Sequence, residues 1–516
     1  MTLRLDGLTV EFPGSSQAAV RELGFEVGPG RTVGIVGESG SGKTISLRAI
    51  MGILPGAARV SSGSLSMGDT ELPLVGRQVR ASRRRRLAMV FQDPLAALNP
   101  VLRVGDLIAE VPRRALGHSA ARSREIALEL MRQVRLPEPE RLARAYPHQL
   151  SGGQRQRIMI AAALAAEPEV LLCDEPTTAL DVTVQAAVLD LLADVTRRAG
   201  LSVVVVSHDL AVVSRLADDI VVMRDGRQVE AGPADAVLQH PSASYTRTLV
   251  DSVIELSSAP PASMPAVEVA GVPRLVARGV TVTYRRAARP AVAGVDLTIG
   301  PGRIRGLVGE SGSGKTTLAR VLTGQLAADA GTVELDGTAL GRRRSRAQLR
   351  AVQMVFQDPA ASLDPRMTVR QTLAELLPRE GREARCRELL DQVAMPASAL
   401  DRVPGQFSGG QRQRIAIARA LAVEPRLLVA DEPTSALDVS VQSAILELLA
   451  GLRDRFGLSV LLITHNLAVV HEICDEVSVI YQGEIVEAGA TRAVFADPTH
   501  AYTRQLIESV PRLRTR

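Results

Sequence analysis

The sequence predicts an α/β fold built twice in tandem, and three observations carry that prediction. The octet Gly37-Glu38-Ser39-Gly40-Ser41-Gly42-Lys43-Thr44 recurs unchanged as Gly309-Glu310-Ser311-Gly312-Ser313-Gly314-Lys315-Thr316. Further motifs recur downstream of each octet in the same order. Each copy also alternates short apolar runs of strand type with longer runs of helical spacing. The octet fits the phosphate-binding loop pattern G-x-x-x-x-G-K-[ST]. Each copy follows an apolar run (Thr32 to Val36; Ile304 to Val308) and precedes a helix-like one, the strand–loop–helix context that the motif needs. Its glycines let backbone N–H groups turn inward on phosphates, and the helix N-terminus adds partial positive charge.

The register of the repeat comes from its offsets. The octets recur at an offset of 272 (309 − 37), and Phe-Gln-Asp-Pro at 91–94 recurs at 356–359, an offset of 265 (356 − 91). Ser-Gly-Gly-Gln-Arg-Gln-Arg at 151–157 recurs at 408–414, an offset of 257 (408 − 151). Asp-Glu-Pro-Thr at 174–177 and His208 recur at that same offset, at 431–434 and His465. The falling offset places about fifteen extra residues in the first copy, upstream of Ser151. Two units of domain size read as a duplication.

Taken in order, Leu3 to Val10 alternates apolar and polar residues and reads as a strand. Residues 95–150 are Arg-, Leu- and Ala-rich with helical spacing and no strand-like run, so they read as a helical insertion. Val170 to Cys173 and Ser202 to Val206 are short apolar runs of the buried parallel-strand type. Leu238 to Leu256 looks helical. Ser257 to Pro273, rich in Pro, Ala and Ser, reads as an extended linker. The domains expected are therefore 1–256, with a helical subdomain at 94–165 and a C-terminal extension at 232–256, and 274–516, with the same parts at 359–421 and 489–516. The arginine runs Arg83 to Arg86 and Arg342 to Arg344 read as a solvated face, with acidic lipid headgroups or a partner's acidic loop as the functional alternative.

Composition narrows the class. Of 516 residues, 46% are hydrophobic and 23% charged, which suits large buried cores; only 2% are aromatic, so those cores are aliphatic. A net charge of +5 is compatible with an anionic ligand or a membrane surface and is no nucleic-acid signature. Cys173, Cys386 and Cys474 are far apart, which argues against a disulfide framework or a cysteine-only metal site and suits a reducing compartment. The N-terminus lacks the apolar core of a signal peptide, and no apolar run approaches the ~18–20 residues of a membrane helix.

The chemistry is legible in a few positions. Asp174 and Asp431 each end an apolar strand, where a carboxylate near a phosphate loop holds Mg²⁺. The adjacent Glu175 and Glu432 can polarise an attacking water. Thr44 and Thr316 offer hydroxyls to the same cation, and Lys43 and Lys315 reach the β- and γ-phosphates.

At this point the chain resembles the ATP-binding cassette ATPases over nearly all of both halves. The most specific feature is Ser151-Gly152-Gly153-Gln154, with Ser408-Gly409-Gly410-Gln411, which looks like the family signature. The resemblance implies two P-loop NTPase cores of RecA-like fold, each with an antiparallel β subdomain and an α-helical insertion. It implies that the signature caps a helix and donates to the γ-phosphate held by the opposite P-loop. It matches Gln92 and Gln357 to the Mg²⁺- and water-binding Q-loop, Asp181 and Asp438 to the D-loop, and His208 and His465 to the switch histidine. Phe12 and Tyr284 stand at the same distance before their octets (37 − 12 equals 309 − 284) and match the aromatic that stacks on adenine. Ser39, Ser311 and Thr317 complete the implied nucleotide contacts.

No phosphate, metal or catalytic position departs from the family pattern in either half. Two competent sites are therefore expected, paired head to tail within the chain. Lys43 and Glu175 should face Ser408, and Lys315 and Glu432 should face Ser151. The stretches Phe91 to Pro100 and Phe356 to Pro365, and the tails His240 to Arg247 and Pro498 to Arg504, look like the oligopeptide/dipeptide/nickel importer group. That resemblance implies ATP and Mg²⁺ as ligands, two membrane permeases and an extracytoplasmic binding protein as partners, and no nucleic acid. It also implies a peripheral position on the cytoplasmic face of a bacterial plasma membrane. Some members carry a cysteine-ligated iron–sulfur cluster near the C-terminus; with only Cys474 there, none is expected. The competing readings are an exporter ATPase, a tandem-cassette ribosomal translation factor, a DNA-repair ATPase and a sugar importer. The linker is too short and Pro-rich for the translation factor, the zinc-ligand cysteines of the repair enzyme are missing, and the second signature is too regular for the sugar type.

Overall fold

The computed structural model describes the chain except Ser16, Arg77, Arg84, Ala179, Ser252, residues 254–271, Arg286, Ala288, Ser435, Ala436, Asp438, Arg512 and residues 514–516. Nearly all of the expected linker, and the D-loop position Asp438, lie outside the described residues. The chain forms two compact units, one of Met1–Leu180, Val184–Val253 and Pro511–Arg516, the other of Asp181–Thr183 and Ile254–Val510.

In the first unit a parallel core runs in the order Leu87–Val90, Val170–Asp174, Ser202–Ser207, Thr32–Val36, Asp219–Arg224. Four of these strands, Leu87–Val90, Thr32–Val36, Val170–Asp174 and Ser202–Ser207, are buried at every position. That is why they read as unbroken Val/Ile/Leu runs: helices cover both faces of a parallel sheet. Arg227–Pro233 returns antiparallel beside Asp219–Arg224. Beyond it lie the antiparallel strands Val20–Val27, Leu3–Glu11, Arg59–Met67 and Thr70–Leu72. Here one face packs on the core, and Leu3, Leu5, Leu8 and Val10 point into it.

The second unit repeats the plan. Its parallel core is Val352–Val355, Leu427–Asp431, Ser459–Ile463, Ile304–Val308 and Glu476–Tyr481, with Glu484–Ala490 antiparallel at the end. Its antiparallel sheet is Val292–Ile299, Leu275–Val282, Ala330–Leu335 and Thr338–Ala339.

Between the strand that leads to Gln92 and the strand that ends at Asp174 the chain is helical: Pro94–Ala97, Val104–Ala115, Ala120–Gln133, Pro139–Leu142 and Gly152–Leu164. The second unit has shorter pieces there, Val369–Ala374 and Arg382–Gln392, before the helix Gly409–Leu421. The shortening of these helices accounts for part of the difference in length between the copies.

Two sequence expectations change. The tail of the first unit is not one helix: Ala234–Gln239 stops at His240-Pro241 and a second helix, Ser244–Asp251, follows. Proline cannot donate the backbone bond that would continue the first helix. The arginine runs are not wholly a solvated face. Arg83 is 1% exposed and donates to the carbonyls of Ile50 (2.5 Å), Pro73 (2.7 Å) and Val79 (2.8 Å). Burial pushes its pKa down to about 10. Arg344 donates to Leu322 O (2.5 Å) and Val321 O (2.7 Å). Both guanidiniums thus hold last-turn carbonyls of the helix after the octet, Lys43–Met51 or Lys315–Leu322, where a cation also suits the helix dipole.

Candidate active site

The parallel cores bring the scattered motifs to one edge. Strands ending at Val90, Asp174, Ser207 and Val36 are neighbours, so Gln92, Glu175, His208 and the octet emerge side by side at their carboxyl ends. Open α/β sheets bind ligands at that edge.

The octet's glycines are dictated by their surroundings. At Gly37 (φ 151°) a Cβ would stand 2.1 Å from Met223 O, and at Gly42 (φ 95°) 2.4 Å from Ala19 O. Gly309 and Gly314 meet Ile480 O and Ala291 O, both at 2.2 Å. Gly40 and Gly312 have φ of 81° with open space beside them. Lys43 is buried, and its Nζ donates to Gly37 O (2.6 Å) and Glu38 O (2.8 Å). Lys315 donates likewise to Gly309 O and Glu310 O, each at 2.7 Å, and burial pushes its pKa down. Each ammonium therefore lies over its own loop, bonded to two of that loop's carbonyls.

Thr44 Oγ1 donates to Asp174 Oδ1 at 2.8 Å, and Thr316 bonds Asp431 in the same way. Burial pushes both aspartates above the ordinary carboxylate range, against the pull of those hydroxyls. A desolvated carboxylate of this kind is a site for a cation. The hydroxyl and carboxylate that meet here are hard oxygen ligands that suit Mg²⁺, and the Gln92 or Gln357 amide lies on the adjacent glutamate. Among the described residues no group of three or more His, Cys, Asp or Glu could hold a metal. Mg²⁺ usually keeps waters and binds with substrate phosphates, so a sparse donor set fits it.

Glu175 stands at the centre. Gln92 Nε2 donates to its Oε2 (2.7 Å), Thr178 Oγ1 to the same oxygen (2.9 Å), and His208 Nδ1 lies 3.2 Å from its Oε1. Glu432 has Gln357 Nε2 at 2.8 Å and His465 Nδ1 at 3.2 Å. Burial alone would raise both glutamates, but the histidine bonds and charges outweigh it, and both are shifted down. His208, for which burial works the other way, is shifted up by Glu175. Both glutamates take a left-handed backbone, φ 46° and 47°, a strained conformation for a residue with a side chain. Their amides bond the carbonyls of Val206 and Ile463 on the neighbouring strand, which holds the turn.

Ser151 caps the helix Gly152–Leu164, accepting from Gln154 N while Gln154 Oε1 accepts from Ser151 N (3.1 Å). Ser408 and Gln411 repeat that capping box. Gly152 and Gly409 open those helices. Behind them a Cβ on Gly153 or Gly410 would strike Val184 or Val441 Cγ1, at 2.3 and 2.2 Å. Tyr284 is 43% exposed and its hydroxyl lies 3.2 Å from Thr317 Oγ1, beside the loop. Phe12 is half-buried, and Ser39 and Ser311 are exposed. Asp181 accepts from Thr183 Oγ1 at 2.9 Å.

Sequence reasoning missed Thr178, Arg83, Arg344 and a tyrosine in each tail. Glu38 N donates to Tyr245 Oη (3.3 Å), and Glu310 N to Tyr502 Oη (3.0 Å). The signal was available, since both tyrosines keep the offset of 257 (502 − 245).

Comparison with known proteins places the chain in a family. The profile of the family described as "ABC transporter" matches residues 20–178 and 292–435. A second, "Oligopeptide/dipeptide transporter, C-terminal region", matches residues 229–269 and 486–516. The chain is similar to the oligopeptide transport ATP-binding protein OppD of Mycobacterium tuberculosis H37Rv, 39% identical over 605 residues that cover 99% of this chain and 98% of that one. It is equally similar to the glutathione import ATP-binding protein GsiA of Escherichia coli K12, 39% identical over 557 residues, with 99% and 89% covered.

Proposed function

The chain belongs to the ABC transporter family, and from that premise we propose that it is the ATP-hydrolysing subunit of a bacterial importer of short peptides. One observation carries the reading furthest: the tail region typical of oligopeptide and dipeptide transporters occurs after both cassettes, at 229–269 and 486–516. The two relatives above, one named for oligopeptide and one for glutathione import, both span nearly this whole chain.

The residues divide the work as follows. Loop amides and Lys43 or Lys315 bind the triphosphate of ATP. Thr44 with Asp174, and Thr316 with Asp431, would hold Mg²⁺ together with Gln92 or Gln357; the cation neutralises phosphate charge. Glu175 and Glu432 orient and deprotonate the attacking water. Their downward shift keeps them ionised, and His208 or His465 fixes the carboxylate and faces the developing charge. Phe12 and Tyr284 supply the adenine platforms. In the head-to-tail pairing that we propose, Ser408 completes the site of Lys43 and Ser151 that of Lys315. Two ATP molecules then close one clamp, and hydrolysis releases it.

No described helix is long and apolar enough to cross a membrane. In this reading the chain works through two permeases, on the cytoplasmic face, with a binding protein delivering solute outside. The test is reconstitution with the permeases that co-purify with it. Peptide-loaded binding protein should stimulate ATP hydrolysis severalfold, and Glu175→Gln with Glu432→Gln should abolish that stimulation. Stimulation by a nickel chelate and not by any peptide would overturn the peptide assignment. Failure to co-purify with any membrane protein would overturn the importer.

A further inference from the structure

The tail of each cassette makes the same contact with the loop that binds phosphate. In the first unit Tyr245 opens the helix Ser244–Asp251, is 8% exposed, and accepts from Glu38 N at 3.3 Å. In the second, Tyr502 lies in the helix Ala501–Glu508, is 6% exposed, and accepts from Glu310 N at 3.0 Å. Glu38 and Glu310 are the second residues of their octets.

Each tyrosine is held from behind. The Arg224 guanidinium lies 4.7 Å from the centre of the Tyr245 ring, and the Tyr481 ring 4.2 Å from that of Tyr502. Arg224 and Tyr481 are equivalent positions, again at the offset of 257 (481 − 224). Each tail is also pinned by a glutamate on the antiparallel strand before it. Glu230 accepts from Ser242 N (2.8 Å), Ser242 Oγ (2.7 Å) and Ala243 N (3.1 Å). Glu487 accepts from Thr499 N (2.8 Å), Thr499 Oγ1 (2.9 Å) and His500 N (3.1 Å).

This arrangement bears on ATP binding. Phosphate recognition depends on where the octet's backbone N–H groups point. The Glu38 or Glu310 amide is fixed on a tyrosine hydroxyl, and the carbonyl of the same residue accepts from Lys43 or Lys315. One residue therefore ties the tail, the loop backbone and the phosphate-binding lysine together.

We propose that Tyr245 and Tyr502 are positioning residues for ATP, and that each tail is thereby a handle on nucleotide affinity. Docking of the tail preorganises the loop. By linkage, ATP must in turn tighten the tail, and a partner that draws the tail away must weaken ATP by the same factor. The inference rests on nucleotide binding at the two octets and is independent of the solute carried.

The test uses the full chain with Tyr245→Phe and Tyr502→Phe, which remove only the hydroxyls. One neutral hydrogen bond corresponds to roughly fivefold in affinity. The KM for ATP should rise by about that factor at each site, with kcat changed less than twofold. Amide exchange at 37–39 and 309–311 should accelerate, and ATP should protect the two tail helices less than in the unmodified protein. Thr248→Val serves as control, because it deletes a hydroxyl on the same helix whose bond goes to Ser244 O; it should leave KM and exchange unchanged. Should the tyrosine variant fail to fold, Glu230→Gln with Glu487→Gln loosens the same tails and should move KM in the same direction. An unchanged KM with unchanged loop exchange overturns the inference, and so does a fall in kcat at constant KM. If the unmodified chain does not bind ATP, the nucleotide reading itself fails. Binding by the unmodified chain with no effect of the variants sinks only the role of the tyrosines.

Discussion

The two cassettes differ least at the octets and most in the helices beside the Gln loop. Lys43 Nζ stands 2.6 and 2.8 Å from its two loop carbonyls, and Lys315 Nζ 2.7 Å from both of its own. The glutamine-to-glutamate bonds are 2.7 Å in the first unit and 2.8 Å in the second. The helical insertions have drifted. Val104–Ala115 and Ala120–Gln133 correspond to the shorter Val369–Ala374 and Arg382–Gln392. Leu95 and Val101 are 50% and 75% exposed in the first copy, while Ala360 and Arg366 occupy the equivalent places in the second. The two copies keep the octet and Gln–Glu geometry and diverge in the helical insertions. In the proposed importer, each half would then read a different permease.

The largest expected effect tests whether the two sites are equal. Glu175→Gln or Glu432→Gln alone should each cost the same share of ATP hydrolysis, and the double change should lower it by about 10³-fold while ATP stays bound. Single-turnover assays that show one change to be silent would break the symmetry that the geometry implies.

Next comes stability. Arg83→Met removes the donor for three backbone carbonyls and should cost about 3 kcal/mol; Arg344→Met removes two bonds and should cost about 2 kcal/mol. Calorimetry of both variants decides whether the first unit depends more on its arginine. At the level of partners, Leu95→Ala with Val101→Arg should weaken binding of one permease by about tenfold and leave the other in place, measured by pull-down with each permease separately.

The smallest effect is on pH dependence. Burial works to raise Glu230, but the Thr246 hydroxyl nearby and the Ser242 and Ala243 groups outweigh it and lower its pKa to about 2. Glu487 is lowered by the equivalent groups. A carboxylate depressed in the folded state adds stability above its unfolded pKa, about 4.3, and loses it as the pH falls through the folded value. Melts of Glu230→Gln should therefore lie below those of the unmodified chain at pH 6 and converge with them as the pH approaches 2. A constant gap across that range would show that the anchoring bonds, and not the charge, stabilise the tail.

Much of this was legible in the residues. Periodicity gave the buried strands at Thr32 to Val36 and Val170 to Asp174, and the fixed offsets aligned both sets of motifs. The failures have a common cause. Four arginines in a row read as solvated because sequence cannot show that Arg83 finds the carbonyl of Ile50, at the end of an earlier helix. The shared offset marks the tail tyrosines as a pair, but their partner, a backbone amide, leaves no trace in the residue pattern. The helix break at His240-Pro241 is the exception, since its proline marks it in the sequence.

By itself, the sequence determined the duplication, the α/β class and the family, and it marked the candidate phosphate, metal and catalytic groups. Those are read from residue types within short motifs and from the fixed order in which the motifs repeat. Tertiary structure alone decided which groups touch across long separations: Thr44 on Asp174, Gln92 and His208 on Glu175, Tyr245 on Glu38. Such contacts follow from the order of strands in a sheet, which packing selects, and a linear pattern does not encode that order.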